Sequence, residues 1–377
     1  MRSTLLLVWD RSVLRYLIIF VTVSVLGGCV DRSISVTLPE ALDVGTAQTV
    51  FAATTRAREA DGSYGYRRAD RLQFLETTVS IPPNHRPGTL EFSYSDPNPS
   101  RQFVLAGVRE FPSEQDLKAR LNGAKEVTIF VHGYNATQTE TVFRAAQLAH
   151  DIGLPGKTLV YSWPSRGAGS GYAYDLDSML FARDGLQQTI STLKSLGVPR
   201  VLIVAHSMGG ALTMEMMRQA ELREPGWSRR NLEGVLLISP DLDVDVFRSQ
   251  MAVIKSPPEQ FVIMVSRKDK ILNVSGRLRG TAKGERLGNI SSTEKLAQYP
   301  VSIIDTTAFN KDAESSHFVA ATSPALLSIL NAAGRVSRTF GRDQGGIDLL
   351  VPPAVRNDAG ATEVVLTETG QVRVSTP

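Results

Sequence analysis

The stretch Val201-Leu202-Ile203-Val204-Ala205-His206-Ser207-Met208-Gly209-Gly210 decides how this chain folds. Val201 to Ala205 are all apolar and mostly β-branched, the mark of a strand buried on both faces. Gly209 and Gly210 open a run, Ala211 to Glu221, that suits a helix. Ser207 stands at the turn between them. Ala205 and Gly209, two before and two after the serine, are small enough for strand and helix to close around a tight, strained turn. The pattern is a nucleophile elbow, usually G-x-S-x-G, with Ala205 in place of the first glycine. The plainer reading is an ordinary strand-to-helix turn whose serine is only an N-cap. The surrounding chain decides between the two.

On both sides of the elbow, strands alternate with helices. Upstream, the pattern predicts a helix from Ser113 to about Asn122, a buried strand at Glu126–Val131 and a helix at Thr139–Ile152. A strand at Thr158–Trp163 and a long helix at Asp175–Leu196 follow. Downstream, strands are predicted at Leu232–Ser239, Phe261–Ser266 and Val301–Asp305. A final packing helix is predicted over residues 324–333. Such alternation predicts a doubly wound, mostly parallel sheet flanked by helices.

Residues 49–112 read differently. Strands are predicted at Thr49–Thr54, Leu72–Ile81 and Gly88–Tyr94, with a polar, Arg-rich segment from Arg56 to Arg71. They form a β-rich N-terminal part, either the first antiparallel strands of the sheet or a small β-domain of their own. The α/β domain is expected over 49–335. Residues 336–377 are expected to be a poorly ordered tail with one short strand at Glu363–Leu366.

Composition narrows the class. The chain has 377 residues and is 42% hydrophobic, ample for a sizeable core. Its formal charge of +3 is too small, and too evenly mixed, to argue for nucleic acid. Cys29 is the single cysteine, so an intrachain disulfide and a multi-cysteine metal site are both excluded.

Cys29 matters for its position. Arg2, Arg11 and Arg15 precede an apolar run from Tyr16 to Leu26, and Leu26-Gly27-Gly28-Cys29 follows. This is the layout of a secretory signal over residues 1–28. The last four residues resemble the bacterial lipobox. That resemblance implies that Cys29 becomes the first mature residue and carries lipid. Val30 in place of aspartate then favours the outer membrane, facing the periplasm. A plain signal peptide and an uncleaved N-terminal anchor are the alternatives. Residues 29–48, with Ser, Thr, Pro and Asp and little periodicity, read as a tether.

The elbow in this context resembles the α/β-hydrolase fold, and the resemblance implies an order of catalytic groups: serine, then acid, then histidine. A serine hydroxyl needs a base to take its proton, and histidine suits neutral pH. Of His85, His132, His150, His206 and His317, only His317 follows Ser207. It also lies beyond the last predicted strand of the domain. The acid expected after the seventh strand of the fold is Asp269, in Ser266-Arg267-Lys268-Asp269. Asp241 and Asp243, after the preceding strand, remain alternatives. His206 is expected to shape the elbow and His132 the oxyanion loop, while His85 and His150 are expected at the surface. The backbone N–H groups of Met208 and Tyr134 are the expected oxyanion donors.

Several motifs together carry a closer resemblance. They are Phe130-Val131-His132-Gly133-Tyr134-Asn135, Arg144-Ala145-Ala146-Gln147, Ser162-Trp163-Pro164-Ser165, the elbow, Ser239-Pro240-Asp241-Leu242-Asp243 and Ser266-Arg267-Lys268-Asp269. Upstream, Phe51-Ala52-Ala53-Thr54-Thr55-Arg56 and Ser80-Ile81-Pro82-Pro83-Asn84-His85 join them. Over about residues 49–332 the chain resembles a bacterial α/β-hydrolase family of unknown function, whose members are labelled esterase/lipase superfamily enzymes. The resemblance implies a serine hydrolase acting on a small-molecule acyl substrate, a carboxylic ester first, with no metal or cofactor. The alternative is a non-catalytic envelope binding or scaffold lipoprotein on the same fold. Only about twenty residues separate Pro240 from Gln260, too few for a large helical lid there. The basic, Gly-rich insertion Lys270–Pro300 is the segment expected to border the site.

Overall fold

In the computed structural model the described residues are 32, 36–154, 156–280, 285–309, 317–318, 322–324, 326–328, 360–367 and 372–375. The signal segment, Cys29 and most of the helix expected at 324–333 lie outside them. Among the described residues, no helix is long and apolar enough to cross a membrane.

The first strands form a long antiparallel hairpin, β1 (Thr46–Arg58) and β2 (Tyr64–Ile81), and β3 (Val104–Phe111) pairs antiparallel with β2. Helix α1 (Glu114–Leu121) starts at Ser113, whose side chain accepts from Asp116 N–H. Then follow β4 (Glu126–Val131), α2 (Gln138–Ile152), β5 (Lys157–Ser162) and α3 (Tyr172–Ser195). A capping box between Thr137 and Glu140 starts α2, and Gly153, at φ 63°, ends it in the left-handed region. The elbow strand β6 (Arg200–His206) leads into α4 (Met208–Arg223) and the short α5 (Trp227–Asn231). Next come β7 (Gly234–Ile238), α6 (Val244–Val253), β8 (Gln260–Val265) and α7 (Lys270–Leu278). β9 (Ser302–Asp305), β10 (Thr362–Leu366) and β11 (Val372–Ser375) close the sheet.

These strands make one sheet in the order β11-β10-β9-β8-β7-β6-β4-β5-β1-β2-β3. From β10 across to β1 neighbouring strands run parallel, and β2, β3 and β11 add antiparallel pairs at the two ends. The N-terminal strands are therefore part of the main sheet, with β1 parallel to β5, and not a separate domain. Helices cover both faces. Val201, Ile203 and Ala205 join a core with α3, α4 and α6 residues such as Leu186, Leu212 and Phe247. Leu202 and Val204 face the opposite core, with Val142, Phe143 and Ala146 of α2. This double burial is why β6 reads as an unbroken apolar run.

Between β4 and β6 the winding reverses: β5 lies to one side of the pair and β7 to the other. At such a switch point the loops leaving the two carboxyl ends part and open a crevice. The loop after β4 and the turn after β6 both emerge there.

Four segments depart from the sequence reading. Residues 36–48, expected as part of a tether, are folded in: Pro39–Asp43 is a 3-10 turn with Ala41 fully buried, Leu38 N–H donates to Leu105 O at 2.8 Å, and β1 already begins at Thr46. Residues 56–58 and 64–71, read as a polar connection, extend the β1–β2 hairpin; its exposed charged positions carry no apolar alternation. Gly88–Tyr94 forms a loop with a single bridge, Phe92 to Phe103, and Gly88 takes φ 87°. The third strand is Val104–Phe111 instead, whose outer half is solvent-exposed. In the tail, the short strand expected at Glu363–Leu366 forms as Thr362–Leu366, parallel to β9, and the departure is a second strand, Val372–Ser375, that pairs back on it.

Candidate active site

Ser207 has φ 53° and ψ −122°, a conformation a residue with a side chain rarely keeps without support. The support is a set of backbone hydrogen bonds. Ser207 N–H donates to Ile238 O at 3.0 Å, and its carbonyl accepts from Gly210 N–H at 2.9 Å and Asp241 N–H at 3.1 Å. A Cβ on Gly209 would press on the carbonyl of His132 and lie 2.5 Å from Val131 O. One on Gly133 would come 2.9 Å from Ser207 Cβ. Glycine at both places lets the loop after β4 lie directly against the elbow.

His317 Nε2 is 2.8 Å from Ser207 Oγ, and His317 Nδ1 is 2.8 Å from Asp269 Oδ2. A carboxylate only accepts, so Nδ1 carries the ring proton and Nε2 is free to accept from the serine O–H. Asp269 is fully buried. Its other oxygen accepts from Leu272 N–H at 3.0 Å, which makes it the N-cap of α7. Asn273 Nδ2 donates to its backbone carbonyl at 3.1 Å. Strand β8 and helix α7 thus aim the carboxylate at the histidine. The structure brings together the three residues picked out as serine, base and acid.

The two alternative acids are engaged elsewhere. Buried Asp241 accepts from Arg286 Nε at 2.9 Å, Ser275 Oγ at 2.6 Å and Tyr172 OH at 3.1 Å. Arg279 Nη2 approaches it at 3.6 Å. It ties the loop after β7 to the 270–290 insertion. Asp243 is the N-cap of α6, accepting from Asp245 and Val246 N–H.

His206 packs on the segment that carries His317. Its ring stacks on Phe318 with centroids 3.9 Å apart, and its Nε2 lies 3.2 Å from His317 O. Burial, with the His317 charge site nearby, holds its pKa well below the usual value, so the ring is neutral.

His132 is buried against Trp163, rings stacked at 4.8 Å, and Trp163 Nε1 donates to His132 O at 2.8 Å. Burial and the neighbouring Arg56 cation push its pKa down to about 3. The neutral ring lies between two main-chain carbonyls, Nδ1 at 2.8 Å from Gly133 O and Nε2 at 3.1 Å from Trp163 O, which fixes the loop. Tyr134 follows, with its hydroxyl donating to Gly169 O.

Sequence reasoning assigned no role to Arg56 or Asp175. Arg56 is almost wholly buried, and its guanidinium donates to Ser162 Oγ and to the carbonyls of Gly65, Ser165 and Ala136. Burial lowers its pKa to about 10, so it stays a cation at neutral pH. Asp175 accepts from Ser165 Oγ at 2.6 Å, Arg166 N–H at 2.6 Å and Asn135 N–H at 3.2 Å. Together they brace the 132–137 and 163–167 loops beside the elbow. The only signal was Arg56 at the end of an otherwise apolar and hydroxyl strand. His85, expected at the surface, instead bonds Asp151 at 2.6 Å with its side chain nearly covered. His150 is exposed. Among the described residues no group of three or more His, Cys, Asp or Glu side chains could hold a metal ion.

A family model described as alpha/beta hydrolase of unknown function (DUF900) matches residues 109–333, more than half of the chain. No curated protein matches it. Among solved structures, a Pyrococcus furiosus esterase aligns at 11% identity over 74% of this chain and 87% of its own, with a TM-score of 0.31. Aspergillus fumigatus lipase B aligns at 15% identity over 71% and 70%, with a TM-score of 0.37. A brefeldin A esterase, described as a bacterial homologue of human hormone-sensitive lipase, aligns at 13% identity over 90% and 78%, with a TM-score of 0.31.

Proposed function

The chain belongs to the alpha/beta-hydrolase family of unknown function, and from that premise we propose that it is a serine hydrolase that cleaves carboxylic esters through Ser207, His317 and Asp269. One observation carries the reading: an unbroken hydrogen-bonded line from Asp269 through His317 to a serine held in a strained elbow. A structural serine needs neither the strain nor a histidine backed by a buried carboxylate.

In this mechanism Ser207 Oγ attacks the acyl carbonyl carbon as His317 Nε2 takes the hydroxyl proton. Asp269 stabilises the imidazolium and keeps the ring in the right tautomer. The backbone N–H groups of Met208, at the start of α4, and Tyr134, in the loop pressed against the elbow, hold the oxyanion. His317 returns the proton to the leaving alcohol as the C–O bond breaks. Water, deprotonated by His317, then releases the acid and restores Ser207. The chemistry calls for no cofactor. We further propose that Cys29 carries lipid and holds the enzyme at the bacterial cell envelope, on the periplasmic face of the outer membrane.

The test is a panel of nitrophenyl esters of increasing acyl length, with matched anilides, assayed on the wild type and Ser207→Ala. Ester turnover should fall by a factor of about 10⁴ or more in the variant. A folded wild type that turns over none of them, or a Ser207→Ala protein as active as the wild type, refutes the reading.

A further inference from the structure

The segment just after Asp269 presents two unlike faces. The inner face of α7 holds Leu272, Ser275 and Gly276, all buried. It is tied down by polar contacts: Ser275 Oγ donates to Asp241, and Asn289 Nδ2 donates to Asn273 Oδ1 at 3.0 Å. The outer face carries Ile271, Val274 and Leu278, which are 51%, 54% and 69% exposed. Their spacing of three and then four residues sets them on one stripe. Single exposed apolar side chains are ordinary. A stripe of three on a nine-residue helix is a surface built to be covered.

The charges beside the stripe say by what. Lys268, Lys270 and Arg277 are exposed next to it, and among the described residues no carboxylate pairs with them. Their neighbours are differently placed. Arg267 is held by Asp305 and Glu363, and Arg279 turns inward to Tyr172 and Asp241. The one acid between residues 267 and 279 is Asp269, buried and directed at His317. An apolar stripe flanked by uncompensated cations matches a bilayer interface that is apolar within and anionic at its rim. A second copy of the chain fits less well, since a two-fold contact would set these cations against one another.

We propose that the outer face of α7 docks on an anionic phospholipid surface. Ile271, Val274 and Leu278 enter the interface while Lys268, Lys270 and Arg277 meet phosphate headgroups. Because Asp269 caps this helix and bonds His317, docking brings the carboxyl edge of the sheet, with Ser207, to the lipid. The substrate class that follows is an acyl ester embedded in that surface. This last step rests on the hydrolase reading; the docking itself does not.

The experiment uses the full chain with its single cysteine replaced, Cys29→Ser, and a new one at Val274→Cys carrying a nitrobenzoxadiazole fluorophore. Emission is followed on adding phosphatidylcholine vesicles with and without phosphatidylglycerol. A several-fold, blue-shifted rise is expected only with phosphatidylglycerol, and it should fade with added salt and in Lys268→Glu/Lys270→Glu/Arg277→Glu. The same dye at Leu222→Cys, exposed near the far end of α4 and roughly 20 Å along that helix from the elbow, should not respond. No rise at position 274, an equal rise at 222, or a rise indifferent to lipid charge overturns the proposal. So does a concentration-dependent rise without vesicles, which would make a second copy the occupant. No turnover is involved, so the soluble-ester assay reports separately on Ser207.

Discussion

His206 Nε2 lies 3.2 Å from the main-chain oxygen of His317, so the residue preceding Ser207 holds the residue that hydrogen-bonds Ser207. Being neutral, the His206 ring can donate that bond from Nε2–H while stacking on Phe318. Phe318 is backed by Phe130 at 6.2 Å and by the Arg144 guanidinium at 5.3 Å. His206 is a positioning residue for the proposed base. In His206→Ala, kcat on a soluble ester should fall about 10- to 100-fold with KM little changed. His206→Asn, which keeps a donor, should recover part of it. A purely structural role would lower Tm and leave kcat per folded molecule intact.

Asp269 and Asp241 should separate cleanly. Asp269→Asn keeps a capping side chain for α7 but loses the carboxylate that orients His317, so kcat should drop by a factor of about 10⁴ with a near-normal Tm. Asp241→Asn breaks a buried pair with Arg286 and should cost about 3–5 kcal/mol of stability. Its activity per folded molecule should stay within a few-fold of wild type. Denaturation curves beside initial rates on both variants check the split, and the reverse assignment would show as the reverse pattern.

The burial of neutral His132 predicts acid sensitivity. Its pKa is about 3 in the folded chain and about 6.5 when unfolded. Between those values the unfolded chain binds a proton that the native one does not. Stability therefore falls as pH drops below about 6.5, by up to about 1.4 kcal/mol per pH unit, and this contribution is flat above it. His206 shifts the same way and adds to the slope. Urea unfolding between about pH 7 and about pH 5 measures it. His132→Asn should start less stable yet lose less per pH unit, and equal slopes would contradict the assignment.

Gly209→Ala places a methyl against the carbonyls of Val131 and His132, which are backbone and cannot swing away. Either the elbow or the loop after β4 must shift. A loss of about 1–3 kcal/mol is expected, together with a larger fall in kcat than stability alone explains. Thermal melts and initial rates on the same preparation test it.

The legibility of the chain follows burial. Strands β4 to β8 stood out because both faces are covered and Gly or Pro punctuates their ends. The tip of the β1–β2 hairpin and the outer half of β3 face water and carry charges, so no apolar alternation marks them. His317 could be picked out as the only histidine beyond the elbow. Spacing alone does not separate Asp269 from Asp241, since both follow strand ends; the strand count of the resembled fold is what selects Asp269. The difference lies in Arg286, forty-five residues beyond Asp241, which occupies that carboxylate. Arg56 was illegible for a related reason: most of its partners are main-chain carbonyls, which no sequence motif records.

The most direct measurement of the central claim is intact mass after treatment with a fluorophosphonate, on the wild type, Ser207→Ala and His317→Ala. A single adduct on the wild type, absent from both variants, is the predicted result: Ser207 is an activated nucleophile with His317 as its base. A well-folded wild type that takes no adduct, or an adduct that survives either substitution, would contradict it.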